Sequence, residues 1–529
     1  MASDFSTDMN SGNYSRSRKS VNQTGKKTEG VSVTKLNSPK AKGWHRFLIL
    51  VFSLVLASLT IAVPALTDLA NSIQSQHLYT GLMFSRGHLP YTEIFATGGF
   101  LYYSLIALAY HLGSTLWLVV VAFLFFYISG LYLYRIIAYL TAKEKFASGG
   151  VCLFYMLNLS LGFGGLYPIQ FAMPFVLIAL WFLVKYFIGK TTDEAFILYG
   201  ITCALAILFD ARTIIFWLLS LIAIIIYNIS QKHWLKGIYQ TLCLIFGFLL
   251  IIYSVGYFIF NLQITSDYLS ETVSYYLTHL GLTRSNLYLT LLFQLVLALA
   301  SGLVMGLLTY RKHMSGKVSD KEIKLIIFVA TILYLIYAVF SRSFDTYYLL
   351  YVLPFALILS SLRINDEHEL SLTRTSHRRL KPVDLQTKFI TAFLTSGFLL
   401  PLLAIVYGIT SPLAAYVVNI PINTERTTIA RYIGKENGTE NTIYVWDSSA
   451  KIYRQSKTKS ASKFVLPTNN TADKTNYSNL QDHLIQDLAS YVVVNQSEEL
   501  PSSVKNNLKK NYDKVSVEKV SHFTIYKKK

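Results

Sequence analysis

Apolar runs of about 20 residues, the length that crosses a bilayer core as one α-helix, recur along most of this chain. They fall at approximately 47–66, 115–140, 146–162, 168–188, 195–210, 213–230, 236–260, 287–310, 323–340, 346–362 and 388–409. With 53% hydrophobic residues, the chain is too apolar for an ordinary soluble domain. In lipid every backbone N–H and C=O needs an internal partner, so such runs fold as helices. The expected fold is mainly α, a polytopic membrane domain of about eleven transmembrane helices.

Lysine and arginine in short loops set the orientation. The tail ahead of the first run carries Arg16, Arg18, Lys19, Lys26, Lys27, Lys35, Lys40, Lys42 and Arg46, which places it in the cytoplasm. Alternate loops are also basic: Lys143 with Lys145, Lys185 with Lys190, Lys232 with Lys236, then clusters at 311–324 and 374–381. The opposite loops hold isolated cations only, Arg86, Arg212, Arg284 and Arg342. Ile94 to Leu112 is apolar enough to span, but a crossing there would turn every later basic loop outward. It therefore reads as a helix in the outer interface, where His111 and the Tyr102–Tyr103 pair are suited. The net charge of +19 lies in these loops, so it marks topology, and no nucleic-acid partner is expected.

Three segments follow. Residues 1–43 are rich in Ser, Asn and Lys and are expected to be a disordered cytoplasmic tail. Residues 44–410 form the membrane domain. Phe47–Leu66 has no small-residue cleavage site after it and contains Pro64, so it reads as a retained anchor. Residues 411–529 lose the long apolar runs. Short β-like stretches at Thr442–Trp446, Lys463–Leu466, Tyr491–Val494 and Phe523–Tyr526 alternate with helical patterns at Thr424–Lys435, Asn479–Ala489 and Ser502–Asn511. That alternation predicts a small extracytoplasmic α/β domain. Cys152, Cys203 and Cys243 sit inside apolar runs and read as core residues.

Ionisable residues at membrane depth are costly unless paired or hydrated. Here they gather on the outer side. Asp68 ends the first run and opens a polar loop to Gly99 that holds Arg86, His88, Tyr91 and Glu93. Asp210 and Arg212 join two runs; Arg342, Asp345, Tyr347 and Tyr348 join two others. The turn 162–170 carries Gly164, Gly165, Tyr167 and Gln170, and the loop 261–286 adds Asp267, Glu271, His279 and Arg284. One outward-facing cavity would collect them. Each also has a plain structural reading: Asp68 as a helix end, Glu93 as a solvated charge, Asp210 with Arg212 as a self-contained pair, Arg342 with Asp345 as an interfacial anchor, His279 as a surface residue, the tyrosines as belts and helix contacts. The convergence on one face, not any single residue, points to a site.

These residues resemble the GT-C superfamily of polytopic membrane glycosyltransferases, which includes protein O-mannosyltransferases and lipid A aminoarabinose transferases. Asp68 follows the first span. Gly87-His88-Leu89-Pro90-Tyr91-Thr92-Glu93 is similar to the G-x-x-P-Y-x-acid element of bacterial members. Gly98-Gly99-Phe100-Leu101-Tyr102-Tyr103 is similar to their G-P-L-x-Y start of an interfacial helix. The turn from Gly164-Gly165 to Pro174, the segment Arg342–Tyr348, and the stretches Ile429–Ile433 and Ile443–Trp446 resemble an outer turn, a late loop meeting lipid phosphate, and the start of an external domain. The likeness runs from Phe47 to Leu466. Two departures stand out: many members carry two adjacent acids where Asp68 is followed by Leu69, and Glu93 stands where an aspartate is common.

The resemblance implies inverting sugar transfer from a polyprenyl-phosphate donor to a glycan or surface-polymer acceptor outside the membrane. Asp68 or Glu93 would be the base. Arg342 or Arg212 would steady the leaving phosphate, with Arg86 and His88 as weaker candidates. Tyr91, Tyr102 and Tyr167 would stack on sugar, and Asp210 and Tyr347 would line the substrate site. A lone carboxylate does not make a divalent site, so neither metal nor cofactor is expected; the lipid-linked sugar and membrane lipids are the small partners. Two alternatives remain at this point: a transporter or flippase, which would favour broken helices at mid-depth and internal repeats, and a non-catalytic envelope assembly protein.

Overall fold

The structure, a computed structural model, describes residues 41–63, 70–163, 165–275, 287–309, 320–341, 343–377, 399–436, 442–471, 473–486 and 488–529. Asp68, Gly164, His279, Arg284, Arg342 and the tail before residue 41 lie outside the described residues.

The membrane domain is built from α1 (Gly43–Ala57), α2 (Ser72–Phe84), α3 (Phe100–His111), α4 (Leu116–Thr141), α5 (Glu144–Leu161), α6 (Pro168–Phe187), α7 (Phe196–Phe209), α8 (Ile214–Ser230), α9 (Trp234–Asn261), α10 (Leu287–Ala300), α11 (Lys321–Phe340), α12 (Leu353–His377) and α13 (Leu399–Val418). Among the described residues, seven helical segments are long and apolar enough to cross a bilayer: Gly43–Ala62, α4, α6, Ala211–Ser230, α9, α11 and α13. The chain is a multi-pass membrane protein. The remaining expected runs are helical but shorter or more polar. α7 and α10 have 14 residues each. α5 opens on Glu144 and Lys145, and α12 is preceded by a 3-10 turn, Thr346–Leu350. α6 is the hub, buried along most of its length between α4 and α7. α9, by contrast, turns Leu242, Phe246, Leu249 and Tyr253 outward, an apolar face that only lipid or another apolar surface can cover.

The segment 94–112 is not a span. It folds as the 12-residue α3, roughly 18 Å long at 1.5 Å per residue, too short for a bilayer core of about 30 Å. α3 crosses α2 at Gly81, where a Cβ would meet Ile106 Cγ2 at 2.2 Å. α2 begins on a reciprocal cap: Asn71 Oδ1 accepts from Gln74 N at 2.9 Å and Gln74 Oε1 accepts from Asn71 N at 2.9 Å.

Beyond α13, helix α14 (Ile420–Glu436) leads into a five-stranded sheet. Its strands are β1 (Thr442–Trp446), β2 (Lys459–Ser460), β3 (Tyr491–Asn495), β4 (Tyr512–Val515) and β5 (Phe523–Lys528), in the order β2-β1-β3-β5-β4. β1 pairs in parallel with β2 and β3; β5 runs antiparallel to β3 and β4. Helices α15 (Lys451–Ser456), α16 (Lys474–Ile485) and α17 (Ser502–Asn511) connect them. One sequence expectation needs correction. Lys463–Leu466 is buried coil, because its backbone serves the first loop: Phe95 N donates to Lys463 O at 2.9 Å. β4 has too little apolar alternation to be read, with only Tyr512 buried and Val515 half-buried.

One face of the sheet packs on α16 and α17. The other forms a common core with Tyr79, Leu82, Met83 and Ile94 of the first loop region. The C-terminal sheet is therefore seated on α2 through its β2 side.

Candidate functional site

The candidate residues fall into two groups that share the first loop. The first centres on the end of α7. Asp210 leaves the helix with φ −150° and ψ 106°. Its carboxylate accepts from Arg212 N at 3.1 Å and so caps the 3-10 turn Ala211–Thr213. The same carboxylate grips the Arg212 guanidinium on two atoms, Nε at 2.7 Å and Nη2 at 3.1 Å. The Tyr351 hydroxyl donates to Asp210 Oδ2. Asp210 is 1% and Arg212 6% exposed, so this is a buried pair. The guanidinium lies 5.1 Å from the Tyr351 ring and 5.9 Å from that of Tyr347.

Tyrosines carry this cluster to the first loop. Tyr347 stacks on Tyr167 at 4.5 Å, the rings 9° from parallel. The Tyr167 hydroxyl accepts from Asn71 Nδ2 at 2.7 Å. Gln74 Nε2 donates to Phe163 O at 3.2 Å, and the Tyr102 hydroxyl donates to Leu166 O. Two glycines permit the approach. At Gly165 (φ +59°) a Cβ would lie 1.9 Å from Thr60 O, and at Gly99 one would lie 2.0 Å from Leu208 O. Gly99 N donates to Phe209 O at 3.1 Å, which pins the loop beside Asp210.

His77 sits in the same cluster. Its Nδ1 is 2.8 Å from the Tyr103 hydroxyl, and its ring meets Tyr102 edge-on. Burial, then the nearby Arg212 charge, lowers its pKa to about 3, so the imidazole is neutral at physiological pH. Sequence reasoning missed His77, Tyr351 and Asn71. Only Asn71 left a signal, the Asn-x-x-Gln cap spacing.

The second group joins the loop to the C-terminal sheet. Glu93 accepts from Lys459 Nζ at 2.5 Å and from Leu89 N at 3.0 Å, and His88 Nδ1 lies 2.9 Å away. Partial burial opposes its ionisation, but these hydrogen bonds win and hold the carboxyl at about 2. Arg86, exposed, donates through Nη1 to Lys457 O at 2.7 Å. The Tyr79 hydroxyl accepts from Ser460 N at 2.8 Å. Tyr91 is fully buried in the left-handed region (φ +70°), donates to Gly98 O at 2.8 Å, and packs edge-on against Tyr103 and Tyr268. Thus Asp210, Arg212 and Tyr347 come together, Tyr91 packs between the groups, and Arg86, His88 and Glu93 lie at the interdomain joint.

Glu271 closes that joint from the other side. It accepts from Ala96 N at 2.8 Å and pairs with Lys463 Nζ at 2.6 Å. Burial pushes its carboxyl up to about 8 against the pull of Lys463. A folded-state pKa above the ordinary 4.5 means that the folded protein holds the proton more tightly than the unfolded chain. The associated stability is fully present below 4.5 and is lost as pH rises towards 8. Thermal unfolding across that window is expected to show this decline, and Glu271→Gln to flatten it; an unchanged profile in the variant would exclude Glu271 as its source.

Two family models cover almost the whole chain. Residues 34–420 match the model described as "Putative competence-induced protein Ccs4 N-terminal domain", and residues 423–529 match the corresponding C-terminal domain. The chain belongs to this Ccs4 family. No curated protein matches it by sequence. Among solved structures it is similar to ArnT from Cupriavidus metallidurans bound to undecaprenyl phosphate, with TM-score 0.56 and 12% identity over 92% of this chain and 98% of that one. The apo form of the same ArnT gives TM-score 0.51 and 12% identity over 91% and 97%. This Ccs4 family chain therefore has the fold of ArnT, a membrane helical domain with a small C-terminal sheet domain, as the sequence resemblance implied.

Proposed function

We propose that the protein is a polyprenyl-phosphate-dependent glycosyltransferase that passes a sugar to a cell-wall or surface glycan outside the membrane. The observation that carries this reading is the likeness over 92% of the chain to an ArnT structure bound to undecaprenyl phosphate. The buried carboxylate–guanidinium–tyrosine cluster at the end of α7 adds support. In this reading the N-terminus is cytoplasmic and the C-terminal sheet extracytoplasmic, as the loop charges suggest.

The chemistry is an inverting displacement. Asp68, three residues ahead of Asn71 in the chain, takes the proton of an acceptor hydroxyl. The freed oxygen bonds to the anomeric carbon from the face opposite the phosphate. The carbon–oxygen bond to phosphate breaks, and polyprenyl phosphate leaves with the electron pair. That developing charge needs a cation. Asp210 already balances Arg212, so Arg342 supplies most of it, while Arg212 holds Tyr347 and Tyr351 in place.

The test is purified protein with a panel of polyprenyl-phosphate sugars, read by release of the lipid phosphate and by sugar on an added acceptor. Donor-dependent release with at least one sugar is the expected result. Release with none, alongside movement of intact lipid-linked saccharide across a bilayer, would replace this reading.

A further inference from the structure

The C-terminal sheet is electrically lopsided. Residues 423–501 hold nine Lys/Arg and nine Asp/Glu, a net charge of zero. Residues 502–529 hold eight lysines against Asp513 and Glu518, a net +6 in 28 residues. The fold gathers this charge at one edge. Lys505, Lys509 and Lys510 are exposed on α17, whose apolar residues Val504 and Leu508 face the sheet. Next to it lies β4 with exposed Lys514, whose ammonium sits 6.0 Å from the Tyr526 ring. The C-terminus folds back onto the same place: Lys529 N donates to Asn511 O at 3.2 Å, and Lys529 Nζ to Lys510 O at 2.8 Å.

The location separates this edge from the site. β2, which seats on the first loop, is at one end of the strand order and β4 at the other. Four strand spacings of ~4.8 Å lie between them. Lysines on an edge strand also discourage edge-to-edge aggregation. That role explains Lys514, but not three more lysines on the neighbouring helix.

We propose that this lysine strip is a docking surface for a linear, base-free phosphodiester polymer, such as a glycerol-phosphate chain of a cell surface. A row of ammonium groups matches a row of phosphates, and released counterions supply the affinity. A nucleic-acid strand would also seek stacking platforms. Here Tyr512 is buried in the core beneath the strip, and the half-buried Tyr526 already has the Lys514 ammonium 6.0 Å from its ring centroid, so the aromatic ring beside these lysines faces a cation and the strip chiefly offers ammonium groups for phosphate. The proposal rests on the extracytoplasmic placement of the sheet given under the proposed function, but not on sugar transfer, and because its readout is binding alone the two can fail separately.

The experiment uses the full chain in zwitterionic nanodiscs and a fluorescent poly(glycerol phosphate) of about a dozen units, titrated by anisotropy from about 50 to 200 mM salt. Wild-type protein is expected to bind with a steep salt dependence. Replacing Lys505, Lys509, Lys510 and Lys514 together by Gln is expected to lower the log–log salt slope by about 3, at ~0.7 for each phosphate that is no longer neutralised. The same four changed to Arg should keep binding, which separates lost charge from lost fold. Failure of the polymer to bind at the lowest salt, or an unchanged slope in the Gln variant, overturns the proposal. So does tighter binding of a single-stranded oligonucleotide, or capture by phosphatidylglycerol vesicles in place of the polymer.

Discussion

Asp68→Asn is expected to lower sugar transfer by about 10²–10⁴-fold, the usual contribution of a general base, with the amount of protein in the membrane unchanged. The substitution keeps shape and hydrogen-bonding capacity and removes only the ability to take a proton. Donor binding should survive, so the loss should appear in kcat rather than in KM for the lipid-linked sugar. The measurement is initial-rate kinetics on purified variant, with membrane abundance followed in parallel.

Glu93→Gln is the necessary companion. Glu93 is engaged by Lys459, His88 and the Leu89 amide and is held at about 2. A carboxyl so far down draws a hydroxyl proton more weakly than an ordinary aspartate near ~3.9. Glu93→Gln should therefore loosen the joint to the C-terminal sheet, seen as faster proteolysis there, while each folded molecule keeps most of its transfer rate. Full activity in Asp68→Asn together with a dead Glu93→Gln would exchange their roles.

The fold was readable because its strongest determinant is crude. A run of apolar residues long enough to cross lipid needs no tertiary information, and among the described residues each such run carries a helix. The brevity of α3 was legible too, through the loop charges that a crossing at 94–112 would have placed on the wrong side. Strands were harder to read. Lys463–Leu466 looks like a strand and is coil, since the partner of its backbone is Phe95, far away in sequence. The site was half legible. Asp210 and Arg212 are two residues apart and announce themselves as ionisable groups between apolar runs. Tyr351 and His77 do not, because a tyrosine among 37 and a lone histidine acquire meaning only once distant helices bring them to Arg212. Arg86, His88 and Glu93 share a loop with Asp68, and sequence proximity suggested a shared task. The structure shows three-dimensional partners, Lys457 and Lys459, that no spacing rule reveals.

Arg212→Ala is expected to destabilise the membrane domain by ~3–5 kcal/mol, the usual effect of breaking a buried ion pair from one side. The size follows from what is left behind. Asp210 is 1% exposed, and among the described residues its carboxylate would keep the Tyr351 hydroxyl and the residue 212 amide as donors, with the charge that offset its desolvation gone. Thermal unfolding of detergent-solubilised protein, followed by size-exclusion profile, reads this directly. The double variant Asp210→Leu with Arg212→Met removes both charges at similar volume. It should regain much of the lost stability, because paired removal leaves no orphan. If the cluster only braces α7 against α12, transfer should return with the fold. If it also holds Tyr347 and Tyr351 at the donor phosphate, the double variant should be folded and slow. A single Arg212→Ala as stable as wild type would show that the pair carries little of the fold, and the guanidinium would then have to be explained by the substrate alone.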